Sequence, residues 1–311
     1  MRAFYFPSVP DSALLEKLLP GGAPAEAPVT GRNFVDWALE SACRFGVDSA
    51  VLVDKRISPA LERRFAMDRD GLCAVSTMRL AKGLPQSLAE VSASPWFRGI
   101  AADGGSAIVV WGDALPLYKP EETGYRPVPQ SALRDTPTGI YHWVEGRWLE
   151  PEAGAFAMRD AASWLDLSMR LLAGEGGFTL PGYSAENGAY LCRNVVLEHG
   201  TEAKPPVLML DNAWCARDVK LENGVILGRN SFVGRGSRLS RTMVCDDTYI
   251  GKWLDLEGKI VLGDRIVDAA TGACVDVEES AIARHGSIAL PKWLKAAGRL
   301  VAGHSFGRGP F

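Results

Sequence analysis

Few residues in this chain combine a reactive side chain with a setting in which it could work. Asp113 follows Gly112 directly after the apolar run Ala107-Ile108-Val109-Val110-Trp111. A carboxylate at a strand end either ligates a hard cation or caps the following loop, and such a cation needs further oxygen ligands. Arg32 stands just before Asn33, a predicted helix start, where it serves an anionic group such as phosphate or stays in water. His199, within Glu198-His199-Gly200-Thr201, can act as a general base if an acceptor hydroxyl or amine is held beside it; otherwise it is a solvated corner. Gly83-Leu84-Pro85-Gln86 reads first as a turn. His142, His285 and His304 are neither paired nor at metal-ligand spacing, and the six cysteines (Cys43, Cys73, Cys192, Cys215, Cys245, Cys274) contain no C-x-x-C.

The elements that must position these residues fall into two styles. Over residues 1–180 short apolar strands alternate with helical stripes. Strands are expected at 2–6, 50–53, 72–77 and 107–111. Helices are expected at 11–19, from Asn33 to Arg44 and at 163–172. Residues 114–138 read as an extended connection and Gly174-Glu175-Gly176-Gly177 as a linker. The alternation predicts an α/β domain with a mostly parallel sheet and helices on its faces.

From Leu191 to Val267 the period changes to six. Met209, Cys215, Leu221, Leu227, Val233 and Leu239 form an apolar series that resumes, after one five-residue step, at Val244, Ile250, Leu256 and Leu262. A second small or apolar side chain follows four residues after each, among them Val225, Ser231, Met243, Ile260 and Ile266. Neither a helix nor a simple strand recurs at six, whereas a solenoid of very short strands joined by corners does. Gly228, Gly234, Gly251 and Gly263 each follow an inward position, where positive φ would serve a bend. Counting back adds Leu191/Val195 and Leu197/Thr201.

This pattern resembles the hexapeptide repeat of left-handed parallel β-helices. The first domain is in turn similar to the sugar-phosphate nucleotidyltransferases, several of which carry such a β-helix, as mannose-1-phosphate guanylyltransferases do. The similarity lies in Pro28-Val29-Thr30-Gly31-Arg32-Asn33-Phe34-Val35-Asp36-Trp37-Ala38-Leu39, in Gly46-Val47-Asp48 before a strand, in Val109-Val110-Trp111-Gly112-Asp113, and in the run 259–268. It implies a Rossmann-like nucleotidyltransferase domain (1–180) and a left-handed β-helix (188–278); a basic C-terminal tail (279–311) is set off by its charge. It further implies that Gly112 and Asp113 lie at the substrate, with Mg²⁺ on Asp113, that Arg32 serves a phosphate, and that Gly83 contacts a base. The family's G-G-x-G-T-R-L loop is missing: the first strand runs into Pro7-Ser8-Val9-Pro10, and Gly21-Gly22 comes late without a following Thr-Arg or lysine. The second metal carboxylate falls near Ala157, with Asp160 three residues away. The family's Glu-Lys-Pro motif is missing too. The expectation is a protein of sugar-nucleotide or surface-polysaccharide metabolism, weakly active or inactive as a pyrophosphorylase, that binds a nucleotide, a sugar nucleotide or a partner. The alternative is a hexapeptide-repeat acyltransferase with His199 as base, to which the unbroken repeat lends no loop for an acyl donor.

Composition bounds the rest. The 311 residues carry a net charge of -3 with 47% hydrophobic and 23% charged residues, which argues against nucleic acid as a partner. No apolar run approaches a membrane span and the N-terminus lacks a signal-peptide core, so a cytoplasmic location is expected. Flat solenoid faces and open edges lead us to expect a homo-oligomer through the β-helix. After Glu279 the chain has no acidic residue but keeps Arg284, Lys292, Lys295, Arg299 and Arg308. A helix over Pro291–Val301 is expected to cap the solenoid, or else to touch a membrane surface.

Overall fold

A computed structural model describes residues 2–6, 24–53, 58–67, 74–78, 85–102, 105–112, 114–135, 139–184, 188–277 and 283–285. The expected helices at 11–19 and 291–301 lie outside the described residues, as do Pro7–Pro10, Gly83 and Asp113. The first part comprises β1 (Arg2–Phe6), a two-strand hairpin of β2 (Pro28–Val29) and β3 (Arg32–Asn33), α1 (Phe34–Arg44), β4 (Ser49–Val53), α2 (Pro59–Met67) and β5 (Ala74–Met78). There follow α3 (Leu88–Ala93), α4 (Pro95–Ala102), β6 (Ala107–Trp111), β7 (Ala114–Leu115), β8 (Tyr125–Pro127), β9 (Gly139–Val144), β10 (Arg147–Pro151), β11 (Phe156–Ala157) and α5 (Ala161–Leu172).

Seven strands form one sheet in the order β5-β4-β1-β6-β9-β10-β8. The pairs β1–β4, β4–β5 and β1–β6 are parallel, whereas β6–β9, β9–β10 and β10–β8 are antiparallel. The expectation of a mostly parallel sheet is therefore corrected: half of its pairings are antiparallel. One of the three is the hairpin closed at Glu145-Gly146 (both at positive φ); the other two join β6 to β9 and β8 to β10 with no α-helix among the described residues between them to carry the chain back across the sheet. Helices cover both faces of the parallel half. Phe34 and Trp37 of α1 and Leu61 of α2 share a core with Ala50, Leu52, Ile108 and Val110. Leu88, Val91 and Phe97 share another with Val53, Val109 and Trp111. Burial on two sides is why the β6 sequence is continuously apolar rather than alternating. At the start of α1 the Asn33 amide donates to the Asp36 carboxylate at 3.2 Å, satisfying one of the helix's free donors.

The second part is a parallel β-solenoid of about four turns, left-handed-β-helix-like in its six-residue, three-faced repeat. It begins with β12 (Tyr183–Ser184), laid antiparallel on β13 (Ala189–Leu191), and continues through β14 (Val196–Leu197) and β15 (Glu202–Ala203). The next coils are β16 (Val207–Met209), β17 (Trp214–Cys215) and the long β18 (Lys220–Leu227). After them come β19 (Phe232–Val233), β20 (Arg238–Val244), β21 (Thr248–Ile250) and β22 (Asp255–Glu257). Leu191 pairs with Met209 and Met209 with Leu227, each 18 residues on, while Leu227 pairs with Val244 after 17. The five-residue step read in the sequence is thus one shortened coil. Leu227, Val233 and Ile250 are fully buried and Leu256 is buried, as the six-residue series requires.

Three inward assignments, Met243, Ile260 and Leu262, are corrected. Thr242, paired with Val225, points inside in place of Met243, and its hydroxyl donates to the Ser240 or Leu256 carbonyl. Val261 packs inside in place of Leu262, within β23 (Lys259–Leu262). Met243, Ile260 and Leu262 instead face the first part. The parallel coils stop at β23, because β24 (Arg265–Asp268) and β25 (Cys274–Asp276) fold back antiparallel and β26 (Ala283–His285) pairs antiparallel with β21. The expected continuation of the repeat through Ile266 to Val267 is corrected to this meander.

The glycines also need a different reason from the expected one. Gly263 does hold positive φ, but Gly228, Gly234 and Gly251 do not. A Cβ on Gly228 would lie 2.4 Å from the Asp246 amide nitrogen, and one on Gly234 would lie 2.5 Å from the Gly251 carbonyl oxygen. Close stacking of coils excludes a side chain there. One column of left-handed corners is made by Asn194, Asn212, Asn230 and Asp247, at φ 56, 61, 54 and 55. The three asparagine amides donate up this column at 3.1, 2.8 and 2.9 Å.

The two parts share one core. The outer row Leu208, Ile226, Met243 and Ile260 packs with Trp164, Leu165, Leu171 and Trp37. Arg241 pairs with Asp166 of α5 at 3.1 Å, and Arg229 donates to the Gly31 carbonyl at 3.2 Å. Among the described residues no helix is long and apolar enough to cross a membrane.

Candidate functional site

The parallel strands converge on one edge. The connections through α1 and α2 carry the chain from β1 outward to β4 and β5, and the next one returns it to β6 on the other side of β1. The carboxyl ends of β1 and β6, at Phe6 and Trp111, therefore lie side by side where the strand order reverses. Crevices at such points are the usual ligand sites of open α/β sheets. Gly112 ends β6 at φ +70, a conformation that releases the chain from the strand at little steric cost. Two residues on, β7 pairs with β11 so that Ala157 stands opposite Ala114. Residue 157 thus lies across from the residue that follows Asp113, and it carries no donor atom.

Asp160 is committed elsewhere. Its carboxylate accepts the Ser163 amide at 2.8 Å and the Ser163 hydroxyl at 2.7 Å, at the start of α5. These hydrogen bonds hold its pKa below the ordinary carboxylate value. Among the described residues no three His, Cys, Asp or Glu side chains converge as metal ligands. Asp113, the residue on which the family resemblance places Mg²⁺, lies outside the described residues.

Arg32 lies on the hairpin that leads into α1. The hairpin is clamped: the Trp37 indole donates to the Val29 carbonyl at 2.7 Å, the Trp164 indole to Pro28 at 2.8 Å, and the Thr30 hydroxyl to Ser168 at 3.0 Å. Arg32 itself pairs with Glu40 at 2.6 Å and stacks 4.7 Å from the Trp37 ring. Glu40 also pairs with Arg44 at 3.0 Å, so one carboxylate is shared by two guanidiniums and the local charge stays positive. Between this hairpin and the solenoid runs a cleft of about 330 Å³ counting its open mouth. Thr30, Gly31, Arg32 and Asn33 line one wall, Leu210, Ile226 and Met243 the floor, and Arg229 with Asp246 the other wall.

No family model matches this chain, and no curated protein matches its sequence.

Of the residues singled out from the sequence, Gly112 sits at the strand edge and Arg32 on the hairpin before α1, while Gly83 and Asp113 lie outside the described residues. His199 is on an exposed corner of the solenoid, remote from both by topology. Reading by sequence passed over three features. Arg229 and Asp246, paired at 3.2 Å, form the solenoid wall of the cleft. His142 is buried with its Nε2 unpartnered. Trp253 occupies a corner that other coils give to Gly or Asp. That last signal is visible once the coils are aligned at 17 to 18 residues; the first two depend on contacts between distant segments.

Proposed function

We propose that this chain is a nucleotidyltransferase-like protein that binds a nucleotide or sugar nucleotide at the carboxyl edge of β1 and β6, with little or no pyrophosphorylase turnover. Support comes from the strand order β5-β4-β1-β6, with its reversal between β1 and β6 beside Gly112, and from a hexad solenoid following the sheet domain. The observation that carries the reading is the pairing of Ala157 with Ala114. An alanine at the second carboxylate position, together with a capping role for Asp160, leaves transferring phosphates without the fixed charges that nucleotidyl transfer requires. Arg32, whose partner Glu40 is shared with Arg44, would orient a bound phosphate.

The test is calorimetric titration of the full chain with nucleoside triphosphates and sugar nucleotides, alongside pyrophosphate release with a panel of sugar 1-phosphates. Binding without release is the expected result. Turnover of about 1 s⁻¹ or more, ordinary for an enzyme, that is lost in Asp113→Ala would refute the degenerate site. Failure of every nucleotide to bind would refute the proposal altogether.

A further inference from the structure

Each coil of the solenoid passes through a corner at Gly200, Asp218, Gly236 and Trp253. The amides of Asp218, Gly236 and Trp253 donate to the carbonyls of His199, Arg217 and Arg235 one coil below, which fixes the alignment. All four residues are left-handed, at φ 80, 61, 69 and 59. Glycine and aspartate tolerate that conformation, but a bulky aromatic does so only under strain. Backbone strain of this kind persists where the surrounding structure over-determines it, and it gathers at binding sites. Trp253 is also 68% exposed, so burial does not explain the choice. Its indole is nonetheless fixed: a Cβ on Gly236 would lie 2.1 Å from the six-membered ring, so the ring rests on that glycine's backbone.

The surroundings supply paired polar groups. Arg235 lies with its guanidinium carbon 5.6 Å from the indole centre and donates to the Asp218 carboxylate at 3.2 Å. One coil below, Arg217 faces Glu198 at 3.9 Å. Each guanidinium thus comes with a carboxylate, giving donors and acceptors side by side with nearly balanced charge; the exposed Lys252 leaves the corner only mildly positive.

We infer that Trp253, with the Arg235–Asp218 pair, forms a carbohydrate-binding site on this corner that takes a neutral pyranose of an oligosaccharide. A pyranose has one face of C–H groups, which packs on an exposed indole, and a rim of hydroxyls, which need donors and acceptors together. The flat, open setting suits an extended chain better than a small molecule that must be enclosed. The balanced guanidinium–carboxylate pairs disfavour polyphosphates and polyuronates, which would meet Asp218 and Glu198 as like charges. This site is separate from the nucleotide edge and stands or falls independently of it.

The experiment is saturation-transfer NMR on the full chain with cellohexaose, maltohexaose and mannohexaose, with hexagalacturonate and ATP as charged probes. At least one neutral hexaose should receive transfer at millimolar concentration, mainly on its ring C–H protons. Trp253→Asn places at the corner the residue used at other corners of this solenoid, so it should fold and yet lower the transfer at least about tenfold. Trp253→Phe should keep a reduced signal, and Asp218→Asn, which keeps the left-handed corner but removes the carboxylate, should weaken it. The inference is overturned if no neutral hexaose receives transfer, if Trp253→Asn leaves the signal unchanged, or if only hexagalacturonate or ATP binds in a Trp253-dependent way. It is also overturned if light scattering shows that Trp253→Asn abolishes self-association while no sugar binds, for the indole would then be a contact between copies.

Discussion

His142 illustrates how much a single side chain's surroundings decide. It lies on β9 at 8% exposure, with ring centres of Phe45 and Tyr125 at 5.3 and 4.8 Å. Its Nε2 has no partner, and the hydroxyl of nearby Tyr118 is also buried and unpartnered. Burial without a compensating charge lowers its pKa from the ordinary 6.5 to about 4. Between those two values the unfolded chain holds the proton more readily than the folded one. Stability is therefore complete above about pH 6.5 and falls as the pH drops towards about 4, by roughly 3 kcal/mol from this group. Thermal melts of His142→Phe should lose that part of the slope while matching the parent more closely at pH 7, since phenylalanine brings no orphan nitrogen into the aromatic cluster. An unchanged slope between pH 6.5 and 4 would assign the acid sensitivity to other groups.

At the scale of the element, the solenoid stands on two requirements: filled interiors and bare contacts between coils. Leu227 is fully buried within the coil stack, and Leu227→Ala should cost about 2–5 kcal/mol as a cavity. Gly234→Ala should destabilise by about 1–3 kcal/mol even though it adds only a methyl group, because the obstructing atom is the Gly251 carbonyl oxygen, which belongs to the next coil's backbone. Gly99→Ala, in α4, is the contrasting case. Nothing lies within 4 Å of a Cβ there, and φ is not positive, so the change should be neutral or stabilise by up to about 1 kcal/mol. Denaturant midpoints of the three variants provide the check. Equal effects at Gly234 and Gly99 would show that coil stacking is looser than the distances indicate.

Over the whole molecule, the sheet domain and the solenoid are joined by a continuous core rather than by a tether. The segment 174–177, read as a linker, is itself held: Arg44 donates to the Gly176 and Gly177 carbonyls at 2.6 and 2.9 Å and lies 3.9 Å from the Phe178 ring centre. Separating the parts would expose Leu208, Ile226, Met243 and Ile260, four apolar side chains that are at most 2% exposed. Calorimetry should therefore show a single unfolding transition for the parent chain. Met243→Asp, which buries an unpaired charge at that junction, should lower its midpoint strongly or split it. Two well-separated transitions in the parent would mean that the shared core contributes little coupling.

The sequence by itself determined the solenoid, because each inward position is filled by equivalent side chains one coil away and so demands a small or apolar residue every six. It also determined α1, β4, β6 and α5, whose apolar spacing and end residues are local signals. Only the tertiary structure decided which row faces inward at Thr242/Met243 and Val261/Leu262. Both sides of that face are buried, one on the solenoid interior and one on α5, so polarity no longer distinguishes them. The same holds for Gly228 and Gly234, whose need for a bare Cα comes from a neighbouring coil 17 residues on. Trp253 was legible as a residue but not as a site: its exposure, its left-handed backbone and its place over Gly236 arise when coils stack, because stacking is what brings residues 17 to 18 apart into contact.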